Sequence, residues 1–255
     1  MGFNIGGHTF SAEMARNQFD NRIVNRNLMF HVDAGNINSY SGTGTTWFDL
    51  SGRGNNGTLE NSPIFSSADG GGSFNFNGSN QSMVANINST ELDGDPNFTM
   101  ELWVKRTTEL VGTTGGYWGI GGAGQGYSVQ GWTPITNRIH MDLYDSSRID
   151  SGQDYPLNTW IHIAWAKNGT AITTDTVKIY INGISYSVTS GRGQTSGPRY
   201  NTSTAGKGVA LGRLNQDAAS YYGACKIGVA RIYNRALTQG EVLQNYNAQR
   251  TRFGL

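Results

Sequence analysis

The sequence lacks several features that would assign it to common protein classes. It contains a single cysteine, Cys225, so no internal disulfide can form, and we interpret this residue as a buried structural thiol rather than a nucleophile. Only 15% of the residues are charged and the net charge is +1, which gives no basic field for nucleic acid or a membrane surface. No run approaches the roughly 18 apolar residues of a membrane span, and the N-terminus lacks the basic and apolar regions of a signal peptide. We therefore expect a soluble protein that is made without a signal peptide.

Glycine is abundant and proline is scarce. The chain has 36 glycines and 5 prolines, without a collagen period or a low-complexity run, so the glycines indicate turns and bulges. A chain of 255 residues is long enough to bury a sizeable core in one large all-β domain. We predict a sandwich domain over residues 28–255, preceded by an N-terminal arm over residues 1–27.

Alternation of apolar and polar residues predicts the strands. In FTMELWVKR (98–106), Phe98 begins an apolar face and Lys105 lies on the opposite face, the pattern of a half-buried strand. TWIHIAWAKNG (159–169) is largely apolar on both faces, which predicts a central strand. VKIYINGISYSV (177–188) predicts a hairpin with Asn182 and Gly183 in its two-residue loop. Further short strands are predicted around 74–76, 139–143, 209–211 and 227–233. Short strands without long helices between them favour an antiparallel two-sheet sandwich.

One helix is predicted near the end of the chain, in YNRALTQGEVLQNY (233–246). Thr238 and Glu241 have the spacing of a capping box, and Leu237 and Val242 have the spacing of a hydrophobic staple. The apolar stripe of the helix is too short to hold it folded alone in water. The stripe consists of Val242, Leu243 and Tyr246. We therefore expect the helix to pack on the outer surface of the sandwich.

The N-terminal arm differs in character from the rest of the chain. It shows no strand signal, and a short helix is predicted from Ser11. Its bulky apolar residues are Phe10, Met14, Phe19 and Ile23. Two interpretations remain open: a disordered or loosely docked terminus, or an arm that orders against a partner through these four residues.

A family resemblance rests on several segments in a fixed order. They are HVDAGN at residue 31, the W-x-D-x-S-G-x-G-N-x-G run around Trp47 and Asp49, FTMELWVKR, WIHIAWAKNG, VKIYINGI and the closing strand and helix. Over residues 28–253 the chain resembles laminin-G-like or pentraxin-like domains of the concanavalin A-like lectin/glucanase superfamily. It is most similar to modules in virion proteins of tailed bacteriophages.

This resemblance implies both a fold and a role. The fold is an all-β, concanavalin A-like jelly roll of two antiparallel sheets with a short C-terminal helix. The role is adhesion or virion structure, as a head decoration or a tail appendage. We expect a virion location, a homo-oligomer or multicopy assembly, and contacts with other virion proteins through the arm.

The WFDLSGRGNNG run is interpreted as a structural loop. Asp49 and Asn55 are placed to bond nearby backbone groups, and Gly52, Gly54 and Gly57 are expected to take positive φ values.

Motifs for catalysis and nucleotide binding are weak. Two G-x-G-x-x-G strings, at Gly52 and Gly119, lack the following helix that a phosphate site needs.

The glucanase branch of the superfamily uses a pair of carboxylates on one strand, and retaining hydrolysis needs them about 5 Å apart. The nearest acids here, Asp142 and Asp145, fall on opposite faces of a regular strand, and Glu101 stands alone. We therefore predict a protein that is not an enzyme.

The sequence offers candidate residues for two kinds of binding site, one for calcium and one for a glycan. Asp93 and Asp95 flank a glycine with a spacing that calcium accepts, but a plain turn is the favoured interpretation and no cofactor is expected. For a glycan, aromatic faces that stack on sugar rings are needed. The candidates are Tyr117, Trp118, Tyr127 and Trp132, with a weaker pair at Tyr221 and Tyr222. The competing interpretation, which we favour, places the tryptophans in the core.

The sequence thus predicts a non-enzymatic virion structural or adhesion protein that displays a lectin-like sandwich, with host-surface glycan as a further partner. Neither nucleic acid nor membrane is expected as a partner. The alternatives are a soluble glycan-binding lectin and a glycan-degrading enzyme.

Overall fold

A computed structural model describes residues 3–5, 8–10, 22–87, 90–92, 97–108, 115–120, 129–133, 138–143, 147–154, 156–169, 172–192, 208–214 and 221–255. In chain order the strands are β1 (Phe3–Ile5), β2 (His8–Phe10), β3 (Leu28–Asp33), β4 (Thr46–Trp47), β5 (Gly57–Glu60), β6 (Ile64–Ser66), β7 (Ser73–Asn77), β8 (Ser82–Ala85), β9 (Phe98–Arg106), β10 (Gly115–Ile120), β11 (Val129–Thr133), β12 (Arg138–Leu143), β13 (Ser147–Asp154), β14 (Trp160–Lys167), β15 (Val177–Ile181), β16 (Ile184–Tyr186), β17 (Thr189–Arg192), β18 (Val209–Leu211) and β19 (Ala224–Tyr233). The helix α1 spans Gln239–Gln249, and short 3-10 helices span Asp69–Gly71, Thr90–Leu92 and Arg250–Phe253.

The strands form two large antiparallel sheets. The nine-stranded sheet has the order β17-β13-β12-β11-β10-β18-β8-β5-β4. The eight-stranded sheet has the order β16-β15-β14-β9-β19-β7-β6, and β3 also pairs with β19. This arrangement confirms the predicted jelly-roll sandwich with a short C-terminal helix. Among the described residues, no helix is both long and apolar enough to cross a membrane.

The main core lies between the two sheets, where the inward side chains of both sheets meet. Met100, Leu102 and Val104 of β9 belong to this core and have no exposed surface, as the alternation predicted. Trp118 of β10 faces Trp165 of β14 with ring centroids 5.3 Å apart, so the sheets are joined by packed indole rings. Burying each large aromatic side chain stabilises the fold by roughly 1.5–3 kcal/mol.

Cys225 also lies in this core and is fully buried. Burial raises the pKa of its thiol above the usual range. The interpretation of Cys225 as a structural thiol is therefore confirmed.

The outer face of β9 differs from the prediction of a half-buried strand. Thr99, Glu101 and Trp103 lie on this face and are nevertheless buried, with at most 1% exposed. They are buried because the C-terminal segment covers this part of the eight-stranded sheet: Trp103 stacks on Phe253 with ring centroids 4.1 Å apart. Periodicity assigned the face correctly, but it could not show that a second layer covers it.

The C-terminal helix begins as predicted. Thr238 and Glu241 form both bonds of the capping box, and Leu237 and Val242 belong to one buried cluster. Leu243 is the exception, because it is 41% exposed. The face of α1 that meets the sheet instead uses a buried polar residue, Asn245.

The predicted hairpin and central strand are confirmed. β15 and β16 pair directly, with Ile181 opposite Ile184. The loop residues Asn182 and Gly183 take φ values of 51° and 79°, as a type I′ turn requires. All residues of β14 are buried between β15 and β9.

The N-terminal arm contains strands, so the expectation of no strand there is wrong. β1 and β2 pair with each other, Phe3 opposite Phe10, in a separate two-stranded sheet. The helix predicted from Ser11 lies outside the described residues. Residues 22–27 contact the sandwich: the backbone N–H of Val24 donates to Asn245 Oδ1 at 2.7 Å.

The WFDLSGRGNNG loop holds itself together, as predicted. Asp49 Oδ1 accepts the backbone N–H of His31 at 2.9 Å, and Asn55 Nδ2 donates to the carbonyl of Met29 at 2.8 Å. Gly52 and Gly54 take positive φ values. Gly57 does not; a Cβ there would lie 2.3 Å from the sulfur of Met83, so this glycine is needed for close packing.

Candidate functional site

A row of directly paired residues crosses the outer face of the eight-stranded sheet, beyond the part that α1 covers. Trp160 of β14 is opposite Lys105 of β9, and Lys105 is opposite Lys226 of β19. Lys226 is in turn opposite Asn75 of β7, and Asn75 is opposite Ile64 of β6. Long-range strand pairing therefore places two lysines side by side at the centre of this row.

Asp69 holds these two lysines together. Its Oδ1 accepts a hydrogen bond from Lys105 Nζ and its Oδ2 accepts one from Lys226 Nζ, each at 2.5 Å. Trp160 Nε1 also donates to Oδ1 at 2.9 Å. Burial alone would raise the pKa of Asp69, but these three hydrogen bonds outweigh it and lower the pKa to about 2. Without this carboxylate, two like charges would face each other directly across the strands, which is unfavourable.

Glycines next to Asp69 allow its turn to approach the sheet. Gly70 and Gly72 take φ values of 61° and 131°. A Cβ on Gly70 would lie 2.8 Å from the ring of Phe253, and a Cβ on Gly72 would lie 2.4 Å from Gly35 Cα. The run DGGG therefore places the carboxylate where it reaches both ammonium groups.

The row borders an open groove with a volume of about 450 Å³, which we call the lysine groove. Its lining residues are Asn75, Phe76, Asn77, Lys105, Thr107, Thr108, Asn158, Ala224 and Lys226. The polar groups among them are amides, hydroxyls and ammonium groups, which between them donate and accept hydrogen bonds. This chemistry suits a ligand rich in hydroxyl or carboxylate oxygens.

A second polar cluster lies beneath α1 and is closed to solvent. Glu101 Oε2 accepts a hydrogen bond from Asn245 Nδ2 at 2.8 Å and lies 3.6 Å from Arg231 Nη1. His162 Nε2 lies 3.7 Å from Glu101 Oε1. All four side chains are at most 1% exposed, so we interpret the cluster as the polar attachment of the helix to the sheet.

Burial governs the ionisation of this cluster. Burial raises the pKa of Glu101 to about 7, although Arg231 and Asn245 act in the opposite direction. Burial and the charge of Arg231 lower the pKa of His162 to about 3. Because Glu101 and His162 are buried beneath α1, a polymeric substrate cannot reach them.

The prediction of sugar-binding aromatic residues is wrong for Tyr117 and Trp118. Tyr117 and Trp118 have no exposed surface and belong to the core between the sheets, so they offer no stacking face. The favoured interpretation of Trp118 as a core residue is thereby confirmed. Tyr221, from the weaker pair, is 48% exposed with a φ of 59°.

Other sequence candidates lie outside the described part. Tyr127, Asp93 and Asp95 are not among the described residues, and Trp132 is described only as a backbone position in β11. The glycan and calcium interpretations of these four residues therefore stay predictions. In the part of the chain that the structure describes, no group of three or more His, Cys, Asp or Glu side chains is placed to hold a metal ion.

The candidates for partner binding in the arm have different outcomes. Ile23 packs against the buried cluster of α1 that contains Leu237 and Val242, so it is engaged within this chain. Phe10 is described only as a backbone position in β2, and Met14 and Phe19 are outside the described residues.

Sequence reasoning did not find the lysine groove. Alternation placed Lys105 on the outer face of β9, which is correct, but the residue was not considered as a ligand contact. The other signals were Lys226 in the alternating stretch before Tyr233 and the DGGG run after a strand. The contact of Asp69 with both lysines depends on the register in which β9 pairs with β19, and the local sequence does not reveal that register.

A sequence model of the concanavalin A-like lectin/glucanases superfamily matches residues 77–243. The chain belongs to this superfamily. The family part of the predicted resemblance is therefore confirmed. A comparison with curated proteins finds no match.

Solved structures with the same fold include carbohydrate-active and receptor-binding proteins. Domain 4 of an extracellular arabinanase from Geobacillus stearothermophilus, in complex with arabinotriose, has a TM-score of 0.55 at 20% identity, over 86% of this chain and 98% of that one. The botulinum neurotoxin type G receptor-binding domain has a TM-score of 0.61 at 20% identity, over 88% and 51%. Trypanosoma rangeli sialidase has a TM-score of 0.60 at 14% identity, over 89% and 33%. This chain thus spans about a third of the sialidase, and at these identities the likeness shows the fold alone.

Proposed function

We propose that this protein is a non-enzymatic adhesion protein that binds glycans through its lectin-like sandwich, with the lysine groove as the binding site. The observation that carries the proposal is an open groove of about 450 Å³ whose lining is mostly amide, hydroxyl and ammonium groups. A glycan presents many hydroxyl oxygens at close spacing, and this lining offers hydrogen-bond donors and acceptors for them in place of the aromatic stacking face that the sequence predicted.

The superfamily and one solved neighbour support a binding function. The arabinanase domain matched along 98% of its length is a domain in complex with an oligosaccharide. A domain of that size and fold is therefore sufficient to hold a short glycan, and the present chain has the same fold.

Three acidic side chains of the described residues have structural roles, which supports a non-enzymatic role. Glycoside hydrolysis commonly uses two carboxyl groups on either side of an accessible bond. Glu101 is sealed beneath α1, Asp69 is bound by two lysines, and Asp33 forms an ion pair with Arg252 at 2.6 Å. Each of these three carboxylates has a structural partner that occupies it.

A glycan array tests the binding function. The natural chain is expected to bind a subset of glycans, and Asn75→Trp, which fills the groove, is expected to abolish that binding. The matched control is Ser185→Trp, at an exposed position on β16. Binding that survives Asn75→Trp would place the site elsewhere. Release of new reducing ends from a bound polysaccharide would favour the alternative of a glycan-degrading enzyme.

We further propose that the protein works in a virion, attached through its N-terminal segment. The ground for this assignment is the resemblance to modules of tailed-phage virion proteins that the sequence predicts. Mass spectrometry of purified particles should detect the chain, and its absence from particles would refute a virion location.

A truncation tests the attachment. Removing residues 1–21 leaves Val24 and its bond to Asn245 intact, so we expect a folded domain that no longer joins the particle. Normal incorporation of this truncated protein would contradict attachment through the arm.

A further inference from the structure

The arrangement of Lys105, Asp69 and Lys226 specifies the ligand of the lysine groove more closely. The two ammonium groups bind the two different oxygens of one carboxylate, each at 2.5 Å. The spacing of the lysines is therefore that of a carboxylate-binding pair, and Asp69 occupies one side of it.

The lysines retain donors beyond those used by Asp69. An ammonium group has three N–H donors, and each of these lysines gives one to the carboxylate. Lys105 Nζ also lies 5.0 Å from the ring centroid of Trp160, which fixes its position by a cation–π contact. Both side chains line the groove, and their charges together with that of Asp69 sum to +1. A second acceptor with negative charge would complete this arrangement.

We propose that the lysine groove recognises an acidic glycan, with a sugar carboxylate held on the groove side of Lys105 and Lys226. Ammonium–carboxylate hydrogen bonds are roughly twice as strong as neutral ones, so the carboxylate fixes the position of the sugar. The amides of Asn75 and Asn158, at the groove wall, bind ring hydroxyls. This inference depends on the proposed glycan-binding function and adds the charge of the ligand.

The test compares one oligosaccharide in two charge states. Oligogalacturonate carries carboxylates, and its methyl ester has the same sugar backbone without their charge. Calorimetric titration of the full chain is expected to show binding of the acid at least tenfold tighter than of the ester, and weakening with added salt. A sulfated oligosaccharide that binds as tightly as the acid would show that the groove recognises negative charge in general, and would overturn the specific assignment of a carboxylate.

Lysine variants test whether binding of the acid depends on this groove or on the overall charge of the protein. Lys226→Gln takes the local charge from +1 to zero and is expected to weaken binding of the acid at least tenfold, whereas Lys226→Arg is expected to retain it. The matched control is Lys178→Gln, at an exposed position on β15, which removes one positive charge outside this groove. An equal loss in both glutamine variants would overturn the proposal, and a thermal melt of each variant establishes that it is folded.

These measurements separate a failure of the acidic ligand from a failure of glycan binding as a whole. Equal binding of the acid and the ester, or tight binding of neutral arabinotriose alone, would refute the acidic ligand while leaving glycan binding intact. Absence of binding to every saccharide on the array would refute both. Tight binding of the acid that depends on Lys226 supports both.

Discussion

Replacing Asp69 by asparagine should destabilise the fold by about 1 kcal/mol at neutral pH. Asp69 bridges two lysines that face each other across β9 and β19, and its hydrogen bonds outweigh the effect of burial and lower its pKa from 3.8 to about 2. That lowering corresponds to about 2.5 kcal/mol, at about 1.4 kcal/mol for each pH unit. The carboxylate side chain is 21% exposed, and screening by solvent reduces the contribution to about 1 kcal/mol.

The contribution of Asp69 to the free energy of unfolding depends on pH. The pKa of Asp69 is lower in the folded than in the unfolded protein, so its contribution is fully present above about pH 4 and is lost as the pH falls through about 2. Urea denaturation of the natural chain and Asp69→Asn at pH 6, 4 and 2 measures the difference directly. The two proteins should differ at pH 6 and converge toward pH 2.

A control variant tests whether the effect belongs to this carboxylate. Asp175→Asn, at an exposed position before β15, should leave the unfolding free energy unchanged. A difference between the natural chain and Asp69→Asn that stays constant from pH 6 to pH 2 would refute the reasoning, because it would not come from an ionised carboxylate.

Further variants test the core and the helix attachment. Trp118→Ala should cost about 3–5 kcal/mol of unfolding free energy in urea titrations, because it empties core volume; a loss below about 1 kcal/mol would contradict its burial. Arg231→Ala should cost about 3–5 kcal/mol near pH 8 in the same assay, because it leaves the buried charge of Glu101 without its partner; an unchanged midpoint would show that the pair is not closed to solvent. Thr238→Ala should cost about 1 kcal/mol through loss of the helix cap, measured by thermal unfolding, and Thr238→Ser should restore most of it.

Local signals in the sequence predicted much of the fold. Alternation assigned both faces of β9, Asn182 and Gly183 marked a hairpin, and Thr238 with Glu241 marked the start of α1. Each of these features depends on residues within a few positions of one another. The physical preferences of a short segment are therefore enough to determine them.

The candidate site depends on contacts between distant parts of the chain. Asp69 lies 36 residues from Lys105 and 157 residues from Lys226, and only the pairing of β9 with β19 brings the lysines together. The aromatic run near Trp118 had the composition of a sugar-binding surface, but composition does not reveal which side of a sheet a residue faces. Strand register decided the first question, and the packing of Trp118 against Trp165 between the two sheets decided the second.

The most direct test of a glycan-binding groove is a nuclear magnetic resonance titration of the labelled chain with the tightest ligand found on the array. The backbone amide signals of Asn75, Lys105 and Lys226 should shift progressively as ligand is added, while those of α1 stay unchanged. Shifts that cluster away from the eight-stranded sheet, with these three signals unmoved, would contradict the assignment of the lysine groove as the binding site.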